Sequence, residues 1–249
     1  MRDQPVQIGE YQILGPLGAG GMGVVYRARS DRDGAVVALK TVLVRDESQF
    51  AGIRREIASL ARLRHPGVVR IVGSGIHNSR PWYAMPLLEG QTLRSLVPTF
   101  HDGSPDGLHR ALSLVKRLCW PLAYLHGEGV VHCDLKPGNV FVDGDGRPVI
   151  VDFGLAARFT GGAGREPLDI TTEGAGTIAY MAPEQIEGEA VDARTDLYAL
   201  GCILFEVATG RRVFDRARAV DVAWAHLSDD PQPPSSIRPK IPEAVDALV

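Results

Sequence analysis

The apolar residues of this chain change their spacing near residue 90. From Tyr11 to about Met85 they form short β-branched runs separated by turns, namely YQILGPL, GVVYRAR, AVVALKTVLV, VVRIVGSGI and WYAM. Runs of this kind predict an antiparallel sheet. After LLEGQTL the spacing becomes helical, since apolar residues share one face of a long segment: Leu108, Leu112, Val115, Leu118, Leu122 and Leu125. The sequence therefore predicts an α+β fold, with a sheet in its first part and mainly helices in its second.

Two further segments predict helices. Apolar residues three and four apart form a stripe over Gln49–Arg64, and they are Phe50, Ile53, Ile57 and Leu60. The segment Asp192–Gly210 is apolar on nearly every face, which predicts a helix buried in the centre of the second part. Its apolar residues include Leu197, Leu200, Ile203, Leu204 and Val207. Pro121 lies inside the long helical segment, where its missing N–H predicts a bend without a break.

Turn residues predict the remaining connections. FVDGDGRPVIVDF is typical of a hairpin with Asp145 and Gly146 at its turn. The glycines and polar residues of TGGAGREPLDITTEGAG predict a flexible loop. Near the end of the chain, DDPQPPSSIRPKIP predicts a loop and PEAVDALV predicts the beginning of a helix.

Composition and charge exclude several classes of protein. With 45% apolar and 23% charged residues, the chain is neither disordered nor fibrous. Its net charge is −3 and its Lys and Arg are dispersed, so it has no basic patch for nucleic acid or an anionic membrane. It has no signal peptide and no apolar membrane span, and Cys119, Cys133 and Cys202 lack the spacing of a disulfide framework or zinc site. We therefore expect a soluble, cytoplasmic chain.

A glycine-rich segment, GAGGMGVVY, is the first candidate for ligand binding. Gly18, Gly20 and Gly23 have the GxGxxG spacing that lets backbone N–H groups approach phosphate oxygens. A dinucleotide-binding fold requires a helix directly afterwards, whereas VVYRAR predicts a strand. The segment therefore predicts strand, glycine loop, strand, although an ordinary glycine turn in a hairpin would have the same spacing.

Lys40 and Glu56 form a second candidate. Lys40 ends the apolar run VVALK, so its ammonium group needs an anionic partner on a central strand. Glu56 follows Ile53 by three residues and precedes Leu60 by four, which places its carboxylate on the apolar face of the predicted helix. A Lys40–Glu56 pair is one interpretation, and a solvated charge on the helix rim is the other.

The run HCDLKPGN brings three chemically useful residues onto one short loop. Phosphoryl transfer needs a carboxylate that orients the attacking hydroxyl, a cation near the transferred group and an oxygen ligand for a divalent metal. Asp134, Lys136 and Asn139 offer these groups within six residues. Asp152 follows at the end of the strand VIV and is a candidate for a second metal contact.

Seven motifs together resemble one family. They are GAGGMGVV at Gly18–Val25, VALK ending at Lys40, Glu56, HCDLKPGN at His132–Asn139, DFG at Asp152–Gly154, GTIAYMAPE ending at Glu184 and DLYALG beginning at Asp196. Their order and spacing resemble eukaryotic-like protein kinases, and the sequence after APEQ is most similar to bacterial Ser/Thr kinases. The resemblance implies a bilobal kinase fold, with an extension over 1–10, an N-lobe over about 11–85, a hinge near 86–90 and a C-lobe over 91–249.

The same resemblance implies ATP and Mg²⁺ as cofactors, with Mn²⁺ as an alternative ion. Asp134 would be the catalytic base, Lys136 would steady the γ-phosphoryl group, and Lys40, held by Glu56, would contact the α and β phosphates. Asn139 and Asp152 would hold the metal ions. Gly18, Gly20 and Gly23 would cover the phosphates, and the adenine would contact Val25, Ala38, Met85, Pro86, Leu88 and Phe141. The other residues implied to bind ATP are Leu17, Ala19, Gly21, Met22 and Val24.

The resemblance also implies the partners of the chain. Lys136 and Thr177 resemble the residues with which Ser/Thr kinases bind protein substrates. Thr171 and Thr172 would be phosphorylation sites, and a homodimer would serve autophosphorylation. By the same resemblance, an apolar stack anchored by Asp196 would consist of Leu60, Ile71, Phe153 and His132.

The sequence departs from the family pattern at two places. Cys133 stands where most such kinases have the Arg that binds the activation-loop phosphate, so we expect activity to depend less on that phosphate, with Arg158 as a partial substitute. Glu184 would lack the Arg that relatives supply from their last helices, which predicts a catalytic fragment of a longer protein. A membrane anchor beyond residue 249 would be compatible with this.

Two other classes of protein share this fold. A pseudokinase would bind nucleotide or act as a scaffold without chemistry, but Lys40, Asp134, Asn139 and Asp152 are all present. A small-molecule kinase is disfavoured because GTIAYMAPE resembles a platform for protein substrates. The sequence therefore favours an active protein Ser/Thr kinase.

Overall fold

The computed structural model describes residues 6–20, 23–44, 47–104, 106–152 and 175–249. The chain divides into two compact units, residues 1–89 and 90–249, which are described separately below. The flexible loop predicted between residues 160 and 176 lies almost wholly outside the described residues, as do Gly21, Met22, Phe153, Arg158, Thr171 and Thr172.

The first unit contains a six-stranded antiparallel sheet and one helix. In chain order the strands are β1 (Gln7–Ile8), β2 (Tyr11–Gly20), β3 (Gly23–Ser30), β4 (Val36–Val42), β5 (Gly73–His77) and β6 (Arg80–Pro86). Their order in the sheet is β1-β2-β3-β4-β6-β5. The helix, α1 (Glu47–Leu60), follows β4 and contacts β6. The antiparallel sheet predicted for this part of the sequence is confirmed.

The two faces of this sheet differ because side chains alternate along β4. Val37 and Leu39 belong to an apolar cluster on one face, and that cluster also contains Ile8, Tyr11, Ala28, Trp82 and Ala84. Ala38 and Lys40 therefore project from the opposite face. Ile8 is almost fully buried in the cluster, so the end of the predicted extension over 1–10 packs as part of this unit.

Two predicted boundaries in the first unit are wrong. The run VVRIVGSGI forms a strand only from Gly73, although Val68 and Val69 are buried. The helix predicted to reach Arg64 ends at Leu60. Pro66 disfavours helical geometry at the residue before it, and the Arg64 guanidinium donates to the Ala61 carbonyl at 2.6 Å, just beyond the end of the helix.

The second unit is mainly helical. Its longer helices are α3 (Gly107–Gly127), α6 (Ala193–Thr209) and α7 (Ala219–Ser228). Single-turn helices are α2 (Leu93–Leu96), α4 (Ala175–Ile178), α5 (Pro183–Ile186), α8 (Pro234–Ile237) and α9 (Glu243–Asp246). A small antiparallel sheet contains β7 (Gly90–Thr92), β8 (Val140–Asp143) and β9 (Pro148–Ile150). The hairpin predicted around Asp145 and Gly146 is the β8–β9 connection.

Helix α3 is continuous through Pro121, as the sequence predicts. Its buried residues differ slightly from the predicted stripe. Leu108 and Leu112, which belong to that stripe, are only partly buried. The buried side includes Ala111, Leu114, Val115, Leu118, Leu122 and Leu125. This stripe packs against α6.

Helix α6 is capped at both ends. The Asp192 carboxylate accepts a 2.8 Å hydrogen bond from the Arg194 N–H, and Gly210 adopts a left-handed conformation with φ of 79°. Its second half is buried on nearly every side, as predicted. Its first half is not, because Leu197 is 53% exposed.

The end of the chain differs from prediction. Helix α7 was not predicted, and α8 forms within the segment predicted to be a loop. Helix α9 is present where the sequence predicts the beginning of a helix, but it makes only a single turn.

Candidate active site

Strands β2 and β3 form the predicted glycine hairpin. Gly18 pairs with Val25, Ala19 with Val24, and Gly20 with Gly23. Gly23 has φ of 142°, and a Cβ atom there would lie 1.8 Å from the Thr41 backbone oxygen, so the fold itself requires glycine at this position. A Cβ atom on Gly18 or Gly20 would meet no heavy atom of the described residues within 4 Å. Packing within the described chain therefore does not explain these two glycines.

One face of the first unit's sheet gathers several residues implied to bind ATP. Val25 lies opposite Lys40 on neighbouring strands, and Met85 lies opposite Ala38. Residues directly opposite one another project from the same face. Val25, Ala38, Lys40 and Met85 therefore share the face that points away from the apolar cluster.

Lys40 and Glu56 are both buried within the first unit, with 4% and 7% exposure. Glu56 lies on the same side of α1 as the buried Ile53, Ile57 and Leu60. The alternative interpretation of Glu56 as a solvated rim charge is therefore wrong, since charged groups are buried to this degree only when they have partners.

Four other residues implied to bind ATP lie on β2, at the end of β6, in the segment after β6 and on β8. Leu17 is half exposed on β2. Pro86 ends β6, and Leu88 is partly buried in the segment that follows. Phe141 lies on β8 of the second unit, where it pairs with Thr92 and is partly buried.

The loop before β8 holds the central polar cluster of the second unit. The Lys136 ammonium donates to both carboxylate oxygens of Asp134, each at 2.8 Å. The same ammonium lies 3.3 Å from the hydroxyl of Thr177 on α4. Sequence proximity brings Asp134 and Lys136 together, whereas the fold brings Thr177 to them from 41 residues away.

Asn139 completes this cluster. Its amide nitrogen donates to the Asp134 backbone carbonyl at 2.8 Å and to Asp134 Oδ2 at 2.9 Å. A longer contact of 3.4 Å joins it to the Asp152 carbonyl. Because the amide nitrogen is turned inward, the amide oxygen of Asn139 is the atom left for a cation.

Asp196, at the first turn of α6, fixes the backbone of the loop. Its carboxylate is fully buried and accepts hydrogen bonds from the N–H groups of His132 at 2.8 Å and Cys133 at 2.9 Å. The His126 ring donates a third at 2.9 Å. Burial alone would raise the pKa of Asp196, but the His126 hydrogen bond, the interaction with His132 and these backbone donors hold it below its usual value.

The His132 ring makes two further contacts with the backbone. Its Nε2 lies 3.1 Å from the Val151 carbonyl, and its Nδ1 accepts from the Asp134 N–H at 3.2 Å. The ring thus connects the loop to the segment that precedes Asp152. Of the other predicted stack members, Leu60 and Ile71 are buried in the first unit.

Cys133 and Asp152 both have positive φ, 62° and 57°. Such conformations cost non-glycine residues of the order of 1–3 kcal/mol and persist where the surroundings over-determine them. The Cys133 backbone is held at both ends, since its N–H binds Asp196 and its carbonyl accepts a 2.7 Å hydrogen bond from Gln185. Both of these residues lie next to the Asp134 cluster of the second unit.

Sequence reasoning missed the role of Gln185. This buried side chain on α5 donates to Cys133, and its oxygen accepts from the Ala182 N–H at 3.1 Å. The motif APEQ contains Gln185, but nothing in its spacing predicts a partner so far away in the sequence. A second missed contact is the hydrogen bond from the buried Tyr180 hydroxyl to the Glu206 carboxylate.

Glu184 differs from the sequence expectation. The sequence predicts a carboxylate without its usual Arg partner, and the Glu184 side chain is only partly buried. Its carboxylate accepts a 2.5 Å hydrogen bond from the Thr195 hydroxyl on α6. Glu184 is therefore not an unpaired buried carboxylate, a state that would strongly destabilise the fold.

The fold and this cluster of residues define a protein kinase domain. The sequence matches the protein kinase domain family over residues 11–245, and the chain belongs to that family. It is 40% identical to a probable serine/threonine-protein kinase of Streptomyces coelicolor, over 99% of this chain and 37% of that protein. It is also 40% identical to the DNA damage-responsive serine/threonine-protein kinase RqkA of Deinococcus radiodurans, over 95% of this chain and 35% of that protein.

A solved structure agrees with this family assignment. The kinase domain of Mycobacterium tuberculosis PknI matches 94% of this chain and 83% of its own length, with a TM-score of 0.71 and 26% identity. The predicted α+β kinase fold is thereby confirmed. The chain spans only 35–37% of the length of the two curated relatives named above. No helix of the described residues is both long and apolar enough to cross a membrane.

Proposed function

We propose that this chain is an ATP-dependent protein Ser/Thr kinase that transfers the γ-phosphoryl group of ATP to protein hydroxyls in signalling. The arrangement of Asp134, Lys136, Asn139 and Thr177 carries this proposal. In this arrangement the Asp134 carboxylate lies within hydrogen-bond distance of the Lys136 ammonium and the Asn139 amide, and the Lys136 ammonium also lies within that distance of the Thr177 hydroxyl. Phosphoryl transfer depends on such positioning and on electrostatic stabilisation more than on covalent chemistry.

Asp134 is the proposed catalytic base. Its Oδ2 accepts hydrogen bonds from Lys136 and Asn139, whereas within the described residues its Oδ1 accepts only from Lys136. Each carboxylate oxygen can accept about two hydrogen bonds. Oδ1 is therefore the atom to which a Ser or Thr hydroxyl would donate, and it would receive the hydroxyl proton during transfer.

Lys136 has a second role in this proposal. Its ammonium lies between the base and Thr177, so it keeps the Asp134 carboxylate oriented and supplies positive charge beside the reacting hydroxyl. A fixed cation at this position stabilises the negative charge that develops on the transferred group. Thr177 would hold the substrate loop against this cation.

The first unit would bind the nucleotide. The backbone of Gly18 and Gly20 is open to a ligand, and phosphate oxygens are the groups that close backbone approach favours. Lys40, oriented by Glu56, would neutralise the α and β phosphates. Val25, Ala38 and Met85 offer the apolar surface that an adenine ring requires.

The donor set of the second unit fits Mg²⁺. Members of this family use ATP and a divalent metal, and the amide oxygen of Asn139 and the carboxylate of Asp152 are hard oxygen ligands. Among the described residues no cluster of three His, Cys, Asp or Glu could hold a metal alone. Mg²⁺ commonly takes one or two protein ligands and completes its shell with phosphates and water. Bound there, the ion would neutralise phosphate charge, and Mn²⁺ would have the same ligands.

Cys133 affects how the proposed activity would be regulated by phosphorylation. A neutral thiol cannot form the charged pair with phosphate that Arg forms, and the Cys133 Sγ lies 3.7 Å from the Val131 carbonyl as a weak donor. Activity would therefore depend less on phosphorylation of Thr171 and Thr172, which lie outside the described residues, than in kinases with Arg at this position. A Thr171→Ala, Thr172→Ala double variant with turnover reduced by orders of magnitude would contradict this.

Location and assembly are part of the proposal. All three cysteines are free thiols, and ATP is a cytoplasmic substrate, so a cytoplasmic location fits both. Autophosphorylation would require a second copy of the chain, at least transiently. Homodimer formation at working concentrations is measurable by analytical ultracentrifugation.

The test is transfer of labelled phosphate. The purified chain would be incubated with Mg²⁺, labelled ATP and a generic basic protein, alongside Asp134→Asn and Lys40→Met. Both substitutions should lower transfer at least about 100-fold, because each removes a group that acts on the reacting atoms or phosphates. Exposed residues supply matched controls, and Asp230→Asn and Lys240→Met should keep wild-type rates.

Two results would contradict the proposal. Equal transfer by wild type and Asp134→Asn would remove Asp134 from the chemistry. Tight ATP binding without transfer by the wild type would favour a nucleotide-binding scaffold. Binding of ATP, measured by calorimetry on each variant, separates these cases.

A further inference from the structure

A groove in the second unit lies apart from the Asp134 cluster. Its volume is about 430 Å³, and its lining residues come from β7, α2 and the segment after it, α3, β8 and the β8–β9 connection. The apolar part of its wall comes from Leu96, Phe100, Leu114 and Val142. This volume suits a few side chains of a peptide. The proposed kinase activity gives the groove no role.

Arg110 stands at one side of the groove. Its guanidinium donates a 2.8 Å hydrogen bond to the Thr99 carbonyl and lies 5.9 Å from the centre of the Phe100 ring. Its ion pair with Asp102 is long, at 3.9 Å, and both side chains are about half exposed. Such a pair neutralises little charge, so the guanidinium stays available to an anion while its position is fixed.

Arg117 stands further along the same wall. Its guanidinium donates to the Gly146 carbonyl at 3.1 Å, so the β8–β9 turn holds it in place. Like Arg110, it is exposed. Backbone carbonyls thus orient both cations and leave their remaining donors for a ligand.

Asp143 is the acidic residue that lines the groove, and it does not neutralise these arginines. Its Oδ1 accepts from the N–H groups of Asp145 at 3.0 Å and Arg147 at 2.8 Å, and its Oδ2 accepts from the Arg147 side chain at 3.1 Å. The backbone hydrogen bond from Arg147 is the main cause that lowers the pKa of Asp143. The groove is therefore cationic as well as apolar.

The spacing of the two arginines sets the spacing of the ligand's charges. Arg110 and Arg117 are seven residues apart on α3, or about 10.5 Å along the helix axis. In an extended polyproline II segment, residues three positions apart project from the same side and lie about 9 Å apart. Two acidic side chains at that spacing can therefore meet both guanidinium groups, with apolar residues between them.

We propose that this groove binds an extended segment of a partner protein in which two acidic residues, three positions apart, flank apolar residues. Carboxylates would pair with Arg110 and Arg117, and an apolar side chain would contact Leu96, Phe100 and Val142. Binding at this site requires neither ATP nor phosphoryl transfer. It can therefore be tested independently of the proposed activity.

The experiment is a titration of the purified chain against labelled peptides, followed by fluorescence anisotropy. The probe contains Glu-Leu-Leu-Glu within a neutral ten-residue peptide without hydroxyl side chains. Matched peptides contain Gln-Leu-Leu-Gln, Glu-Gly-Gly-Glu and Lys-Leu-Leu-Lys. The first should bind at least about tenfold more tightly than each of the others, since both charge and apolar contact contribute.

Variants locate the binding. Arg110→Gln with Arg117→Gln should weaken binding of the Glu-Leu-Leu-Glu peptide about tenfold, whereas Arg110→Lys with Arg117→Lys should retain more of it. Arg194→Gln with Arg218→Gln removes two exposed arginines elsewhere and should leave binding unchanged, as should Asp134→Asn. Circular dichroism melting checks that every variant is folded.

Three outcomes would overturn the proposal. The first is that the Glu-Leu-Leu-Glu peptide does not bind at concentrations up to about 1 mM, because a specific contact should give a dissociation constant below that value. The second is equal binding by wild type and the double Gln variant. The third is self-association of the chain that the double Gln variant abolishes, because the groove would then be occupied by a second copy.

Discussion

The side-chain amide of Gln185 donates a 2.7 Å hydrogen bond to the backbone carbonyl of Cys133, which lies 52 residues earlier in the chain. Both residues are buried. The same side chain accepts from the Ala182 N–H, so one glutamine connects the start of α5 to the loop that carries Asp134. A loop with a non-glycine residue at positive φ needs such a connection to keep its shape.

We expect Gln185→Leu to destabilise the protein by about 2–4 kcal/mol, because it leaves a buried carbonyl and a buried N–H without partners. Since the loop carries the proposed base, phosphate transfer should also fall at temperatures where the variant is folded. Urea unfolding and the transfer assay measure the two effects. Gln232→Leu, at an exposed position, should change stability by less than about 0.5 kcal/mol, and equal values for both variants would contradict the prediction.

Asp196→Asn should cost about 2–4 kcal/mol at pH 7. An amide has one acceptor oxygen, whereas three donors converge on this carboxylate, so at least one N–H of His132, Cys133 or His126 would lose its partner. The control is Asp192→Asn at the exposed N-cap of α6, because Asn caps helices as well as Asp does.

The loss of stability caused by Asp196→Asn should depend on pH. The pKa of this carboxyl is lowered in the folded protein, so its contribution to stability is complete above the ordinary aspartate pKa of about 3.9 and is lost as pH falls through the folded value. Urea midpoints of wild type and Asp196→Asn should therefore converge toward pH 3. A constant difference between pH 7 and pH 3 would exclude this carboxylate as the cause.

His226 predicts a second pH dependence in a different range. This buried ring on α7 lies 2.7 Å from the Tyr198 hydroxyl, and burial lowers its pKa to about 4, with the Ala179 carbonyl opposing only part of the shift. The unfolded chain binds a proton at about pH 6.5 and the folded chain does not, so stability falls as pH decreases from about 6.5 to 4.

We expect the stability of wild type relative to His226→Gln to fall by about 3 kcal/mol between pH 7 and pH 4. Comparison with the variant cancels the other titrating groups, including His101. The exposed His109→Gln should follow the wild-type curve. Parallel curves for wild type and His226→Gln would show that the ring does not titrate differently on folding.

Two glycines of the β2–β3 hairpin should respond oppositely to alanine. Gly23→Ala combines positive φ with a Cβ atom that overlaps the Thr41 carbonyl, so the first unit should lose at least about 2 kcal/mol of stability. Gly18→Ala has neither obstacle and should leave the melting temperature unchanged or slightly raised.

The proposed nucleotide site predicts that Gly18→Ala raises the KM for ATP despite its normal stability. The added methyl group would occupy the space through which the backbone approaches phosphate. Steady-state kinetics and thermal melting separate the effect on the ligand from the effect on the fold. An unchanged KM would remove Gly18 from the site.

Local spacing predicted the parts of the site that are close in sequence. Asp134, Lys136 and Asn139 lie within one short loop, so their contacts follow almost directly from their order. The shared face of Ala38 and Lys40 follows in the same local way from the alternation of side chains along β4. The contact of Thr177 with Lys136 was accessible only through the family resemblance, because spacing gives no information across 41 residues.

Long-range side-chain contacts and mixed helix faces were not predictable. The partner of Tyr180 depends on how the segment after α4 packs against α6, and the partner of Gln185 depends on how α5 packs against the loop before β8. No local pattern encodes either packing. Helix α7 was missed because it is apolar on both sides, with Val222 and Ala223 buried while Trp224 is 63% exposed. Such a segment has no clear helical period.

The nearly complete burial of α6 from Cys202 to Thr209, with caps at both ends, has a consequence for hydrogen exchange. Amides in such a helix exchange with solvent only when the surrounding structure opens as a whole. Their exchange rates should therefore be the slowest of the second unit and should report its global free energy of unfolding. The helix is thus an internal reference against which local opening elsewhere in that unit can be measured.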